Sequence, residues 1–455
     1  MNLTFETQIF RTYQPLSPAV SPLTMLTTRD VVKFWVPLSL TWLMMAIEGP
    51  ILTSVIARMT NAEVNLAAYG VALALAMLIE SPVIQLLSTS VALARDRRSM
   101  HTLRRFTRRV NIAVTIGMVV VTLPWVYDVV ANGILQLPKE VSALMRDALV
   151  VLIPWPAAIG YRRFYQGLMI RNGNTRLVAY GTVVRLLTMM GAAWMLVAYS
   201  GLNGVVIGAA GLTVGVICEA IATRIMCRDV LKTYEEMPDS DVVLTNDDIR
   251  QFWMPLALTS LIGFVVTPML TFFMGRAPLT LTSLAVLPVV DSLVFIFRSF
   301  GFSYQEVGVA LIGDRFQNYE VVRRVGVRIV IVTTAVLALI ATTPLLTMIY
   351  VHIYGLRPDL AEFARVPTYV LMSLPFIAVA YSLYRSALIT ARQNVKVTIS
   401  TMMEVGGIAG TMIILVGMTE LNGALAAALS MAAGRSFSTL YLRWNARRLV
   451  VSMRS

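Results

Sequence analysis

The sequence predicts an all-α polytopic membrane protein, with about twelve transmembrane helices in two six-helix lobes related by a pseudo-two-fold axis along the membrane normal. Three observations predict it. Of 455 residues, 57% are hydrophobic and 14% charged, with mean hydropathy +0.72, whereas a soluble chain carries roughly a quarter charged residues. Apolar runs of about 20 residues recur along the whole length. Phe34 to Arg58, FWVPLSLTWLMMAIEGPILTSVIAR, returns as Phe252 to Arg276, FWMPLALTSLIGFVVTPMLTFFMGR, at an offset of 218 with 11 of 25 positions identical. A duplicated, Pro-interrupted apolar segment at matching places in two halves points to a substrate path between those halves.

The net charge is +13, but the basic residues sit in short connections between apolar runs. That distribution orients helices and excludes a nucleic-acid face. Cys218 and Cys227 read as structural thiols, and with only His101 and His352 no metal site is expected. Residues 1–30 hold Glu6, Arg11 and several prolines without a clean apolar core. They are expected to form a cytoplasmic lead-in, not a signal peptide.

The N-lobe is assigned to 31–227. Helix 1 runs about Val31 to Ala57 and helix 2 about Leu66 to Leu93. A loop follows with seven arginines between Arg95 and Arg109, which fixes it as cytoplasmic. Helices 3 to 6 span about Val110 to Leu135, Val141 to Ile170, Leu177 to Tyr199 and Gly204 to Met226. The acidic stretch 228–248 is read as a cytoplasmic linker. The C-lobe, 249–442, holds helices 7 to 12 at about Ile249 to Met274, Leu279 to Ile312, Val325 to Tyr350, Val366 to Ala391, Val397 to Gly417 and Gly423 to Tyr441. Residues 443–455 form a basic tail. The Arg-rich connections follow even-numbered helices, so both termini are expected in the cytoplasm. Leu202 to Gly204 (LNG) returns at Leu421 to Gly423 at an offset of 219; the register holds to the end, and six helices per half make the repeats parallel.

An ionisable group at mid-membrane costs about 2.5–3.5 kcal/mol even on the lenient insertion scale, so each marks a candidate site. Glu48, near the middle of helix 1 and two residues before Pro50, either binds a proton or cation or pairs with an arginine from another helix. Glu80 precedes Pro82 in helix 2, and its counterpart at offset 218 is Arg298. The two either meet across the central cleft as a gate or form separate pairs. Asp291, Arg298 and Gln305 share one face of helix 8. Tyr161, Arg162, Arg163 and Gln166 cluster in helix 4, and Tyr381, Tyr384 and Arg385 lie at similar depth in helix 10. Arg185 and Glu404 are near-counterparts in helices 5 and 11. These arginines either snorkel to the interface or form an inward-facing anion site. Pro50, Pro82, Pro268 and Pro375 are expected to kink their helices. Glu219, Arg435 and Glu306 read as structural pairs. The Met-rich runs read as packing, and no nucleotide loop or catalytic constellation appears.

The FWMPLAL of Phe252 to Leu258, the LAAYGVA of Leu66 to Ala72 and the LPFIAVAYSLYRSALITARQNVKV of Leu374 to Val397 carry a resemblance. The chain resembles the multidrug/oligosaccharidyl-lipid/polysaccharide (MOP) exporter superfamily, and within it the MATE-like and progressive ankylosis (ANK)-like branch. That resemblance implies alternating access by two rocking lobes without ATP. MATE relatives couple to H⁺ or Na⁺ through buried acids on helix 1 or on helices 7 and 10. Here helix 7 has no acid and helix 10 carries Arg385, which suits the anion efflux associated with the ANK branch. The resulting expectation is a monomeric, non-enzymatic secondary exporter in a bacterial inner membrane. It would have no cofactor beyond a coupling H⁺ or Na⁺, and the bilayer and a small molecule as partners. Glu48, Glu80 and Asp291 would serve coupling. Arg298, Arg162, Arg163, Arg385, Arg185, Glu404, Tyr161, Gln166 and Tyr381 would line the cavity. A cationic-drug antiporter, a lipid-linked substrate flippase and a non-transporting scaffold stay open.

Overall fold

A computed structural model describes residues 26–238, 243–313, 316–391 and 393–454; residues 1–25 of the expected lead-in and 239–242 of the linker lie outside them. The N-lobe comprises α1 (Thr28–Ala57), α2 (Ala62–Leu93, interrupted at Gln85), α3 (Arg97–Thr122), α4 (Lys139–Arg171), α5 (Thr175–Tyr199) and α6 (Gly204–Met226). The C-lobe comprises α7 (Asn246–Met274), α8 (Thr280–Leu311), α9 (Tyr319–Thr342), α10 (Pro358–Thr390), α11 (Asn394–Met418) and α12 (Gly423–Arg454). No strand occurs among the described residues. Ten of these helices are long and apolar enough to cross a membrane, and α3 with its bent continuation Pro124–Ile134 makes an eleventh. The 32-residue α12, expected as the twelfth span, is not among them, its apolar run interrupted by Arg435.

The duplication extends into local geometry. Thr27 and Asp30 form a capping box at the start of α1, and Thr245 and Asp248 form the same box on α7, each satisfying backbone donors that a helix start leaves free. Asn61 and Leu279, matched at offset 218, open α2 and α8 in the left-handed conformation, both with φ 54°. The two helices meet where Gly70 faces its own counterpart Pro288. A Cβ on Gly70 would lie 2.4 Å from Pro288 Cγ, so only glycine allows this approach. One apolar core, including Leu52, Ala67, Leu284 and Val289, runs through both lobes.

Several boundaries differ from the sequence reading. The Arg-rich stretch is not a loop, because α3 already begins at Arg97. Asp96 Oδ1 caps it by accepting from Ser99 N at 2.7 Å, and Met100, Leu103, Thr107 and Val110 supply a buried stripe at helical spacing. The helix turns by 73° at Pro124, which lacks the N–H needed to continue. The tail from 443 is helical through Arg454, since Leu442, Ala446, Leu449 and Val450 prolong the apolar face. The linker contains a helix, Arg228–Glu236, docked by Tyr234 Oη donating to Ala94 O at 2.9 Å. α9 starts at Tyr319, before the expected Val325.

The prolines act in different ways. α2 breaks three residues after Pro82, and α7 breaks at Val265, three residues before Pro268. Pro375 opens the second segment of α10, Leu374–Thr390, while Pro50 lies inside an unbroken α1.

Candidate functional site

Five helices of the N-lobe converge on a buried charge cluster. Glu48 comes from α1, Glu80 from α2, Arg162, Arg163 and Gln166 from α4, Arg185 from α5 and Glu219 from α6. Arg185 Nε donates to Glu48 Oε1 at 2.8 Å, and its Nη2 reaches the same oxygen. Glu219, with no exposed surface, accepts from Arg162, lies 3.6 Å from Arg185 Nε and takes a bond from Gln166 Nε2 at 3.4 Å. Glu48 is therefore paired, which is the static alternative of the sequence reading. Glu219, set aside by sequence as a structural pair, is the hub that two arginines share. Glu80 is also buried, and no cation lies within 4 Å of it among the described residues. The charges acting on it most strongly are Arg163, then Arg162 and Arg185.

The C-lobe carries the corresponding positions with the charges exchanged. At offset 219, Arg162 corresponds to Tyr381, Gln166 to Arg385 and Arg185 to Glu404; at 218, Glu80 corresponds to Arg298. Arg435 Nε donates to Glu404 Oε1 at 3.1 Å. Arg298 Nη1 donates to Asp291 Oδ1 at 3.0 Å, and its guanidinium lies near the rings of Phe295 and Phe302. The Glu80–Arg298 gate is thus not formed: each residue faces the charges of its own lobe. Arg385 Nη1 donates to Tyr381 Oη at 3.3 Å, and no carboxylate lies within 4 Å of it among the described residues. Its Nε is buried without a partner.

A cavity of about 300 Å³ opens at this place. Its lining is C-lobe, Tyr381, Arg385, Glu404 and Arg435 among it, except for Gln85, which reaches in from the N-lobe and donates to Ser260 Oγ at 2.6 Å. Of the expected cavity residues, the structure gathers Arg385, Glu404 and Tyr381 here. Arg162, Arg185 and Gln166 sit in the N-lobe cluster with Arg163 beside them, and Arg298 packs against the cavity-lining Phe302. Tyr161 belongs to neither group: it is 38% exposed, on an outer groove between α3 and α4.

Sequence reasoning assigned no role to a second constellation. Arg58 and Arg276, the last identical pair of the repeated helix, each reach across to the opposite lobe. Arg58 donates to the carbonyls of His352, Ile353 and Tyr354 at 2.8, 2.6 and 3.2 Å. Arg276 donates to Ile134 O at 3.0 Å, and Ile134 is the counterpart of Ile353 at offset 219. The acceptors lie at the ends of two wide helical turns, Val129–Ile134 and Ile349–Ile353, where carbonyls are left without helical partners and draw cations. Gly355, at φ 76°, follows the second turn, and a Cβ there would lie 2.7 Å from Arg58 Cγ. At the other end of α1 and α7, Trp35 Nε1 donates to Ser303 Oγ at 2.9 Å and Trp253 Nε1 to Pro82 O at 3.1 Å. The repeated helices thus pin the lobes together at both ends.

Two six-helix bundles, related by the repeat, thus pack against each other along α2 and α8. No protein-family model matches the sequence, and no curated protein does. Among solved structures, an inward-facing multidrug resistance MATE family transporter of the MOP superfamily superposes with a TM-score of 0.69 at 16% identity, covering 91% of this chain and 95% of its own. The lipid II flippase MurJ in an inward closed conformation gives 0.71 at 12% identity, over 92% and 90%. A MOP superfamily transporter from Pyrococcus furiosus, described as having a binding pocket of reverse polarity that suggests a different function, gives 0.63 at 16% identity, over 94% and 97%. At these identities the likeness establishes the multi-pass fold.

Proposed function

We propose that this protein is a secondary active exporter, in which two lobes alternate access to a central cavity that takes an anionic or amphipathic small molecule. One observation carries the reading: Arg385 presents a guanidinium without a carboxylate partner to a cavity of the C-lobe that Gln85 of the N-lobe borders. An unpaired guanidinium there matches carboxylate or phosphate geometry. A cationic drug would instead need an acid free to meet it, and Glu404 is taken by Arg435. Coupling to H⁺ or Na⁺ falls to Glu80. Glu48 is bound by Arg185 and Asp291 by Arg298, whereas Glu80 is a buried acid without a direct cation. The local motifs favour the ANK-like branch, the Arg-rich connections favour cytoplasmic termini and the short loops a bacterial inner membrane; the working unit in this reading is a monomer.

The test is flux into proteoliposomes under an imposed pH or Na⁺ gradient, with pyrophosphate and citrate beside a cationic dye, for wild type, Arg385→Gln and Glu80→Gln. Gradient-driven anion flux is expected, abolished by Arg385→Gln and uncoupled by Glu80→Gln. Dye flux that tolerates Arg385→Gln would refute the anion reading. Movement of a lipid-linked sugar alone would replace export by flipping.

A further inference from the structure

A larger cavity than the one at Arg385 opens on the N-lobe. It is a groove of about 770 Å³ on the outside of the N-lobe, between α3 and α4. One end is basic, formed by Arg104, Arg105 and Arg108. None of the three has a carboxylate within 4 Å among the described residues, and the nearby Glu235 is already taken by Arg97 and His101. Beyond Arg108 the groove turns apolar along Ile112, Ile116 and Val119, which are 53%, 56% and 40% exposed. Arg104, Arg108, Ile112 and Ile116 are spaced by four, so charge and apolar surface form one continuous stripe on α3.

The dimensions match one class of molecule. From Arg108 to Val119 the helix rises about 16 Å, close to half of the roughly 30 Å hydrocarbon core, which is one leaflet. At the boundary Asn111 lines the groove, its buried Oδ1 turned against Gly160 of α4. Tyr161 forms part of the opposite wall on α4, with its ring 4.8 Å from that of Tyr165. The site therefore offers guanidinium groups for an anion and, just below them, an apolar channel one acyl chain long.

We propose that the α3–α4 groove binds an anionic phospholipid of a single leaflet. The headgroup phosphate sits among Arg104, Arg105 and Arg108, and an acyl chain lies along Ile112, Ile116 and Val119. Diffuse attraction of a basic segment to the membrane needs no groove. Here, unpaired arginines and a leaflet-length apolar channel share one cavity.

The test uses the full-length protein, delipidated in detergent, with native mass spectrometry on titration with phosphatidylglycerol or phosphatidylcholine. The wild type is expected to hold one phosphatidylglycerol, preferred about tenfold. Arg104→Gln/Arg108→Gln should lose that preference, while Arg447→Gln/Arg448→Gln, an equal loss of charge on α12, should keep it. Ile116→Trp, which narrows the channel without changing charge, should weaken both lipids alike. Equal losses from the two arginine pairs would reduce the site to diffuse surface charge. Full competition by soluble glycerophosphoglycerol would show that the channel takes no chain. A gain in lipid binding on deleting residues 2–25 would assign the groove to the chain's own N-terminus. Any of these three results overturns the proposal.

Discussion

The two arginines that end the repeated helices are expected to hold the lobes closed at their end of the molecule, and this can be measured without knowing the substrate. Arg58 gives three hydrogen bonds to C-lobe carbonyls, whereas Arg276 gives one to Ile134. Arg58 is exposed, so only part of the gross strength of charged bonds is retained, about 2 kcal/mol in total for Arg58 and about 1 kcal/mol for Arg276. Arg58→Ala should then move the closed-to-open ratio at that end about 30-fold, and Arg276→Ala about fivefold. Arg58→Lys keeps the charge but loses the fork and should fall between wild type and Arg58→Ala. Spin labels on Trp125→Cys and Leu345→Cys, both on exposed turns beside the acceptors, report the distance across the two lobes by pulsed electron resonance. The long-distance population should grow in the order wild type, Arg276→Ala, Arg58→Ala. Unchanged distance distributions in correctly folded variants would refute the latch and leave the arginines as plain helix caps.

Three further outcomes follow from the geometry. Glu219→Gln removes the acid that Arg162 and Arg185 share and leaves buried cations short of a partner; a cost of about 3–5 kcal/mol is expected, seen as a lower thermal midpoint in detergent, while Glu306→Gln should change it little. Gly70→Ala drives a methyl into Pro288 and should cost about 1–3 kcal/mol, by the same melt, and push the lobes apart in the spin-label assay. Cys227 lies just outside α6, where burial pushes its thiol up from the usual 9.0 to about 12. Since only thiolate reacts, about one molecule in a thousand is competent at pH 9 where an ordinary thiol is half ionised; maleimide should therefore modify Cys227 at pH 9 only after unfolding, and equal rates in the folded and unfolded protein would contradict this.

Hydropathy and the repeat made the fold legible, because spanning helices in lipid must satisfy their own backbone and so advertise their length. Boundaries were misread where charge masked periodicity. Seven arginines hid the buried stripe of Met100, Leu103, Thr107 and Val110, and basic residues after Tyr441 hid that of Leu442, Ala446 and Leu449. The site was legible as a set of buried charges but not as pairs. Partners come from helices separated by 137 positions for Glu48 with Arg185 and 57 for Arg162 with Glu219, and nothing local specifies such a meeting. Glu80 and Arg298 show the converse: symmetry made them plausible partners, but each lies closer to charges within its own lobe. The latch left a readable trace. Arg58 and Arg276 are identical at the end of the repeat, yet their acceptors are backbone carbonyls that carry no sequence signature.

What the duplication kept and what it changed separate cleanly in space. The capping boxes, the left-handed entries at Asn61 and Leu279, the tryptophans that cross between lobes and the arginines of the latch are paired, and all lie toward the ends of helices. These contacts must serve both lobes alike, so both copies remain. In the middle of the lobes the pairs diverge: Gln166 against Arg385, Arg185 against Glu404, Glu80 against Arg298. Exchanging the sign at matched depths closed one lobe into a neutralised network around Glu219, which favours rigidity, since breaking any member strands a buried charge. It left the other lobe with a guanidinium at Arg385 that a tyrosine meets but no carboxylate within 4 Å neutralises among the described residues. On the proposed reading, the symmetric shell would hold the lobes at both ends, and the asymmetric interior would decide what chemistry the cavity accepts.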